Sequence, residues 1–294
     1  MKIIVKFVAI VMAMLFPVVT LTSCVTVKSG KVLELRGKTL QGNGIMTTKS
    51  VAVPEYNSLE VHRSIEVKIT EQEGNMMVVT TDENVMPYVV VTCEGGKLVI
   101  TIDSVIDTVQ DINVSVALPQ NNLIENISVD SAAELYAMNL SLEHPLSINV
   151  SSSGEVDGSF TAQELKLNAS SAAEISGKFY AEKIEIEGSS SAEYDGEVGA
   201  DSISVTLSSA SSAELSGECR ELSVDASSAA EFEGELLMSS ICKVTASSAA
   251  KCEVACSKSL TASATSAGGV HYTATEGCVV NEHTSSGGKV KRVR

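Results

Sequence analysis

The residues whose type and spacing could do chemistry are carboxylates. Glu134, Glu155, Glu174, Glu193, Glu214 and Glu231 recur at intervals of 21, 19, 19, 21 and 17 residues, and Lys251 and Gly269 hold the equivalent place in two later copies. Asp157, Asp195 and Glu233 follow two residues behind members of the series, and Glu197, Glu218 and Glu235 follow four behind. Oxygen-only ligands suit a hard cation such as Ca²⁺, and a long acidic row suits a cationic partner. Two carboxylates at a suitable separation are also the minimal apparatus of a glycosidase. Here the repeat pairs carboxylates everywhere, so pairing by itself singles out no catalytic couple. The Gly-Gly-x-Gly-x-Asp nonapeptide of calcium-binding β-rolls is absent. The series therefore reads as a solvated acidic strip, or as a surface for Ca²⁺ or a cationic partner.

Other chemistry is sparse. His62, His144, His271 and His283 lie far apart without ligand spacing, and there is neither a Gly-x-Ser-x-Gly elbow nor a Cys-x-x-Cys. No catalytic residue, cofactor or metal ligand is expected. With no Trp, 4% aromatic residues and uniformly short turns, the chain lacks the sugar platforms and cleft walls that polysaccharide-cleaving solenoids use. Beyond Cys24 there are Cys93, Cys219, Cys242, Cys252, Cys256 and Cys278. An even count in an exported chain raises the prospect of disulfides. Four of them, Cys219, Cys242, Cys252 and Cys256, fall where other repeats carry Phe, Val or Leu, which suits buried free thiols.

The elements that must position the carboxylates follow from the period. Ser171 to Glu174 fits a helix capping box, but Gly177, Gly196, Gly217 and Gly234 sit three residues beyond the register acid, which places glycine in the first turn of any such helix. Alternation explains the segment better: from Ala173 to Phe179 the even positions are polar and the odd ones apolar or small, the period of a half-buried strand. Leu165 to Leu167, Ile184 to Ile186, Ile203 to Val205 and Leu222 to Val224 supply a second strand before each motif. Two short strands joined by a Ser-Ser-Ala corner in about 20 residues are one coil of a β-solenoid and too little for a propeller blade. Like residues then stack at about 4.8 Å per coil. One inward ladder is expected to run Phe160, Phe179, Val198, Cys219, Leu236 and Cys256, and another Leu135, Val156, Ile175, Tyr194, Leu215, Phe232 and Cys252. The expectation is an all-β, right-handed parallel β-helix of about 20-residue coils with an N-terminal β-strand and hairpin cap.

Five segments organise the chain. Residues 1–23 read as a lipoprotein signal peptide: Lys2 and Lys6 precede an apolar run, and Leu21 to Cys24 resembles a lipobox, which makes Cys24 the expected lipidation site. Residues 24–50 read as a lipid-anchored tether and 51–120 as a β region capping the solenoid. Residues 121–288 form the Ser-Ala-Glu repeat, and 289–294 a basic tail that could fray, cap the end or meet the acidic face of another copy. The net charge is −16, and removing residues 1–23 takes two lysines and no acid, so a nucleic-acid partner is not expected.

Gly42 to Gly44, the alternating stretch Tyr56 to Thr70, the strands from Val78 to Ile102 around Gly95-Gly96, the lead-in Ile112 to Pro119 and the repeated Ser-Ser-Ala coils together resemble the family called putative auto-transporter adhesin, head GIN domain. The resemblance spans about residues 42–260. It implies an all-β, β-helix-like fold in an envelope protein, often a lipoprotein, of Bacteroides-like bacteria, and it brings no catalytic residues. The resulting expectation is a non-enzymatic envelope lipoprotein, lipid-anchored at the outer membrane, that acts as an adhesin, surface-binding or structural module. Its candidate binding face is Glu155, Glu174, Glu193, Glu214, Glu231, Asp157, Asp195 and Glu233, its partner a protein or glycan at the cell surface, with self-association as a further outcome. The alternatives are a carbohydrate-active β-helix enzyme and a weak Ca²⁺-binding envelope protein.

Overall fold

A computed structural model describes residues 38–293; the expected signal peptide, Cys24 and most of the expected tether lie outside them. The described chain is a parallel β-solenoid of about nine turns, with coils about 19 residues apart. The 3₁₀ turn Met86–Tyr88 is the one helical element among the described residues.

The regular part begins at Asn126–Asp130 and Glu134–Ser141 and is uninterrupted to the last described strand, Lys289–Arg292. From Glu174–Gly188 onward, five successive coils are each one long bent strand, ending with Lys251–Ala264 after Glu193–Leu207, Ser212–Ala226 and Glu231–Ala246 in order. Alternation puts Val156, Ile175, Tyr194, Phe232 and Cys252 in the core. The rings of Phe160 and Phe179 stack at 5.8 Å between centroids and 3° between planes.

The corner has a definite backbone cause. Two consecutive residues per coil take positive φ, for example Ser171 (57°) and Ala172 (57°), Ser190 (53°) and Ser191 (61°), and Ser209 (53°) and Ala210 (59°). Both central positions of a type I′ turn require this conformation, which costs an L-residue roughly 1–2 kcal/mol each. The cost is offset by a ladder that only stacked corners can form. The Ala172 amide donates to Ser190 O at 3.0 Å, Ser191 to Ser209 O at 3.1 Å, and Ala210 to Ser228 O at 3.0 Å. Small side chains are needed because each corner lies directly on the next.

The glycine three residues beyond the acid has its own reason. Gly177 has φ +127°, and a Cβ there would lie 1.9 Å from the carbonyl oxygen of Gly158 in the neighbouring coil. Only glycine fits that bend.

The N-terminal region caps the solenoid and also contributes two coils of it. Ser58–His62 pairs in parallel with Asn126–Asp130 on one side and Lys97–Ile102 on the other. Ile65–Glu73 lies likewise between Glu134–Ser141 and Val114–Gln120. The stacking order is thus 97–120, then 58–73, then 126–141. Arg63 (φ 64°) and Ser64 (φ 54°) make the corner of this second coil without any Ser-Ala motif, and the Ser64 amide joins the ladder at Ser131 O, 3.1 Å. The Arg63 guanidinium reaches down to the loop of the coil below, donating to Ile102 O (3.2 Å), Asp103 O (3.1 Å), Ile106 O and Asp107 O (3.4 Å). Antiparallel strands close the lower end: Met76–Asp82 against both Met46–Ala52 and Val114–Gln120, and Val89–Glu94 in a hairpin with Lys97–Ile102.

Three expectations need correction. Residues 38–50, assigned to a tether, hold the strand Lys38–Gln41, paired with Ile106–Gln110, and most of Met46–Ala52. The turn between them folds over buried Asp82, whose Oδ1 accepts from the Gly44 amide at 2.6 Å. The basic tail is likewise ordered as a rung: Lys289–Arg292 pairs with Gly269–Ala274, Val290 beside Val270. The inward ladders are displaced in two coils. Ala213 takes the place expected for Leu215, between Tyr194 and Phe232. A bulge in Glu231–Ala246 buries Leu237 and turns Leu236 out to 70% exposure.

Candidate functional site

The carboxylates stand on the outward side of the strand that follows each corner. Register places Glu66, Glu134, Glu155, Glu174, Glu193, Ser212, Glu231, Lys251, Gly269 and Lys289 in one column. A second column, two residues along each strand, reads Lys68, Tyr136, Asp157, Ser176, Asp195, Glu214, Glu233, Glu253, His271 and Lys291. Glu214 therefore belongs with Asp195 and Glu233, one column over from its expected place. The sequence Ser208 to Ala213 contains the Ser-Ser-Ala motif twice in succession, and the first copy makes the corner, so that Ser212 is the register residue. All eight expected face residues still share one surface two columns wide.

This surface is held short of counter-charge in its middle. Among the described residues, ion pairs reach it only toward the C-terminal end, Lys251 Nζ to Glu231 Oε1 at 3.3 Å and His271 Nδ1 to Glu253 Oε1 at 3.4 Å. At the other end Lys68 Nζ sits 5.4 Å from the centre of the Tyr136 ring. Between these ends Glu155 and Glu174 have carboxyl groups pushed above the ordinary range, first by partial burial and then by neighbouring acids, Glu174, Glu134 and Asp157 for the former and Glu193, Asp195 and Asp157 for the latter. Glu233 is pushed the same way by burial and by Glu214 and Glu231. Carboxylates 5–7 Å apart repel by somewhat under 1 kcal/mol per pair in water, so the columns store unfavourable charge that a cation would relieve. Among the described residues no cluster of three or more His, Cys, Asp or Glu side chains is arranged to hold a metal ion.

The sheet formed by the other strand of each coil is different. Lys166 meets Glu187 at 3.1 Å and Glu185 at 3.7 Å, Lys183 meets Glu185 at 3.9 Å, and Arg220 pairs with Asp201 at 2.7 Å and with Glu221. These charges are closed among themselves. His144 stands at its edge with ring nitrogens 3.1 Å from Pro145 O and 3.0 Å from Asn122 O, two acceptors that favour the doubly protonated ring and push its pKa up.

The cysteines of the repeat are packing residues. Cys219, Cys242, Cys252, Cys256 and Cys278 form no disulfide, and the first four are buried. Burial pushes the Cys219 thiol up to about 11 and that of Cys252 up to about 12. Cys219 and Cys256 stand in one column with Ser239 between them, two coils apart as expected.

The pattern of the family described as "Putative auto-transporter adhesin, head GIN domain" matches residues 55–194 and again 163–275. Comparison with curated proteins gives no match. Among solved structures, a putative adhesin from Parabacteroides merdae superposes with a TM-score of 0.65 at 18% identity, covering 87% of this chain and 99% of the other. A putative adhesin from Parabacteroides distasonis gives 0.64 at 19%, covering 87% and 100%. A putative lipid binding protein from the same species gives 0.60 at 17%, again covering 87% and 100%. At these identities the likeness is one of fold.

Proposed function

Because the chain belongs to the putative auto-transporter adhesin, head GIN domain family, we propose that it is a non-enzymatic binding module of the cell envelope, anchored by lipid at Cys24 and docking a cationic partner on its double acidic column. The family description points to an envelope or surface setting; the anchor and the outer-membrane location rest on the lipobox-like Leu21 to Cys24. One observation carries the docking reading: Glu155 and Glu174 have carboxyl groups raised by partial burial and then by the acids stacked around them, yet among the described residues the ion pairs of the two columns lie beyond them at Glu231 and Glu253. A face meant only to be solvated gains nothing from such crowding. A broad, regular, unwalled surface also suits a macromolecular partner better than a small substrate.

The test is adherence of cells displaying the full chain to amine-coated and to carboxylate-coated surfaces. Selective adherence to the amine surface, weakened by salt and lost in the Glu155→Gln, Glu174→Gln, Glu193→Gln, Asp195→Asn variant, is expected. Equal adherence of that variant overturns the assignment of the face. For lipidation, membrane association and palmitate incorporation lost in Cys24→Ala is the expected result, and a soluble, unlabelled wild type overturns it.

A further inference from the structure

The ion-paired sheet carries a depression. Along it, two hollows of about 420 Å³ and 380 Å³ lie on neighbouring columns of the same strands. The first is lined by Asn126, Ser147, Lys166 and Glu185, which stack in register. The second is lined by Ser128, Asn149, Asn168, Glu187 and Thr206, also one per coil and in register. The corner residues Ser151, Ser170 and Ser189 form its far edge. Short side chains at consecutive rungs leave the trough, and it runs along the solenoid axis because each rung repeats the last.

Its chemistry is that of hydroxyls and amides held in fixed orientation. Asn168 Nδ2 donates to Asn149 Oδ1 at 2.8 Å, and Asn149 Nδ2 donates to Ser147 Oγ at 3.3 Å. This chain of amides leaves Asn168 Oδ1 screened from solvent and without a donor, on the side of the rung that carries Glu187. A buried acceptor left unpaired is an unfavourable arrangement that an entering hydroxyl would relieve. Glu187, the one charged side chain lining the second hollow, is paired with Lys166, so that hollow offers no free charge to an ion, whereas Glu125, Glu164 and His144 line the first.

The geometry points to this trough as a binding site for a neutral, linear glycan laid along the solenoid axis, with Ser128, Asn149, Asn168 and Thr206 meeting successive sugar hydroxyls. The rungs repeat at about 4.8 Å, so a polymer of hydroxylated rings presents similar groups to each coil in turn. No aromatic side chain lines either hollow, which removes the stacking platform that would hold a single ring. Affinity must then come from many weak contacts made together, and it rises with chain length.

The experiment is affinity electrophoresis of the full chain through laminarin, mannan and xylan, with polygalacturonate as the anionic probe, followed by titration with the di- and hexasaccharide of whichever neutral polymer retards it. Retardation by a neutral polymer, with the hexasaccharide bound at least tenfold tighter than the disaccharide, is expected. The Asn149→Leu, Asn168→Leu double variant, and separately Ser189→Lys, which fills the trough from its edge, each lose at least tenfold in affinity at unchanged melting temperature. The acidic-face variant described above keeps full binding, so the two readings fail separately. Retardation by polygalacturonate alone, equal affinity for the two oligosaccharides, unchanged binding in both trough variants, or no retardation by any neutral polymer overturns the proposal.

Discussion

Glu193 stands beside Ser212 in the stacked coils, and Glu214 stands beside Asp195. The single serine breaks a column that otherwise runs through Glu134, Glu155, Glu174 and Glu193 and resumes at Glu231.

Filling that gap should cost stability. Ser212→Glu adds a carboxylate between Glu193 and Glu231, each within one coil, and should lower stability by up to about 1 kcal/mol per neighbour at low ionic strength. The loss should shrink as salt is raised toward a Debye length of roughly 3 Å at 1 M. Thermal melts of both proteins at low and high salt measure it; an equal shift at both concentrations would point to packing and not charge.

The same crowding sets a pH dependence. Glu155, Glu174 and Glu233 have carboxyl groups raised above the ordinary 4.5, so the folded chain binds protons more readily than the unfolded one and stability rises as pH falls from neutral through those raised values. Glu197, bonded by Tyr180 and Lys178, and Asp201, bonded by Arg220, are shifted down. Their contribution is lost only on falling below the ordinary carboxylate range. The melting temperature should therefore pass through a maximum in mild acid, and the Glu155→Gln, Glu174→Gln variant should flatten the limb above it. A melting temperature that falls steadily from pH 8 downward contradicts this.

The corner tolerates little. Ala172, at φ 57°, should be replaceable by Gly with a gain of up to about 1 kcal/mol, because relief of the left-handed strain is set against the added freedom of the unfolded chain. Ala172→Val should lose about 1–3 kcal/mol, since a β-branched residue in this conformation is strained. Urea midpoints rank the three; Val at or above Ala would show that the strain is not where the backbone places it.

Two glycines should behave oppositely. Gly177→Ala drives a Cβ to 1.9 Å from a backbone oxygen and should cost more than about 3 kcal/mol or prevent folding, among the larger effects single changes produce. Gly269→Ala meets nothing within 4 Å and should be neutral or stabilising by about 0.5–1 kcal/mol. Soluble yield and chemical denaturation separate them.

Thiol access is a fifth test. Cys242, Cys252 and Cys256, each at most 1% exposed, should resist Ellman's reagent in the folded chain and react at the rate of global unfolding. Fast reaction of all three would contradict the packed interior.

The solenoid was legible because one period contains everything a coil needs: alternation for two strands, small residues for the corner, glycine for the bend. What escaped the pattern escaped for physical reasons. The duplicated Ser-Ser-Ala around Ala210 offers two register residues, Ser212 and Glu214, two positions apart and equal in alternation, and the one taken stacks Ala213 between the bulkier Tyr194 and Phe232. The coil 58–73 was hidden because a corner is a backbone state, and Arg63-Ser64 reaches it by anchoring a guanidinium to four carbonyls where other coils use size. The ion-paired sheet and its trough are not legible in the sequence because Ser, Asn and Thr carry no motif until register lines them up.

The stacking order at the start has a consequence for how such a chain changes over generations. The cap and the coil 97–120 lie below 58–73, so every later coil is laid on one free edge and touches only its neighbours. A duplication or deletion of 19 residues anywhere beyond that point lengthens or shortens the rod by one rung, about 4.8 Å, without disturbing the rest. Reach then becomes a quantity inherited as a whole number, adjustable by slippage in a repetitive gene and independent of what either face binds.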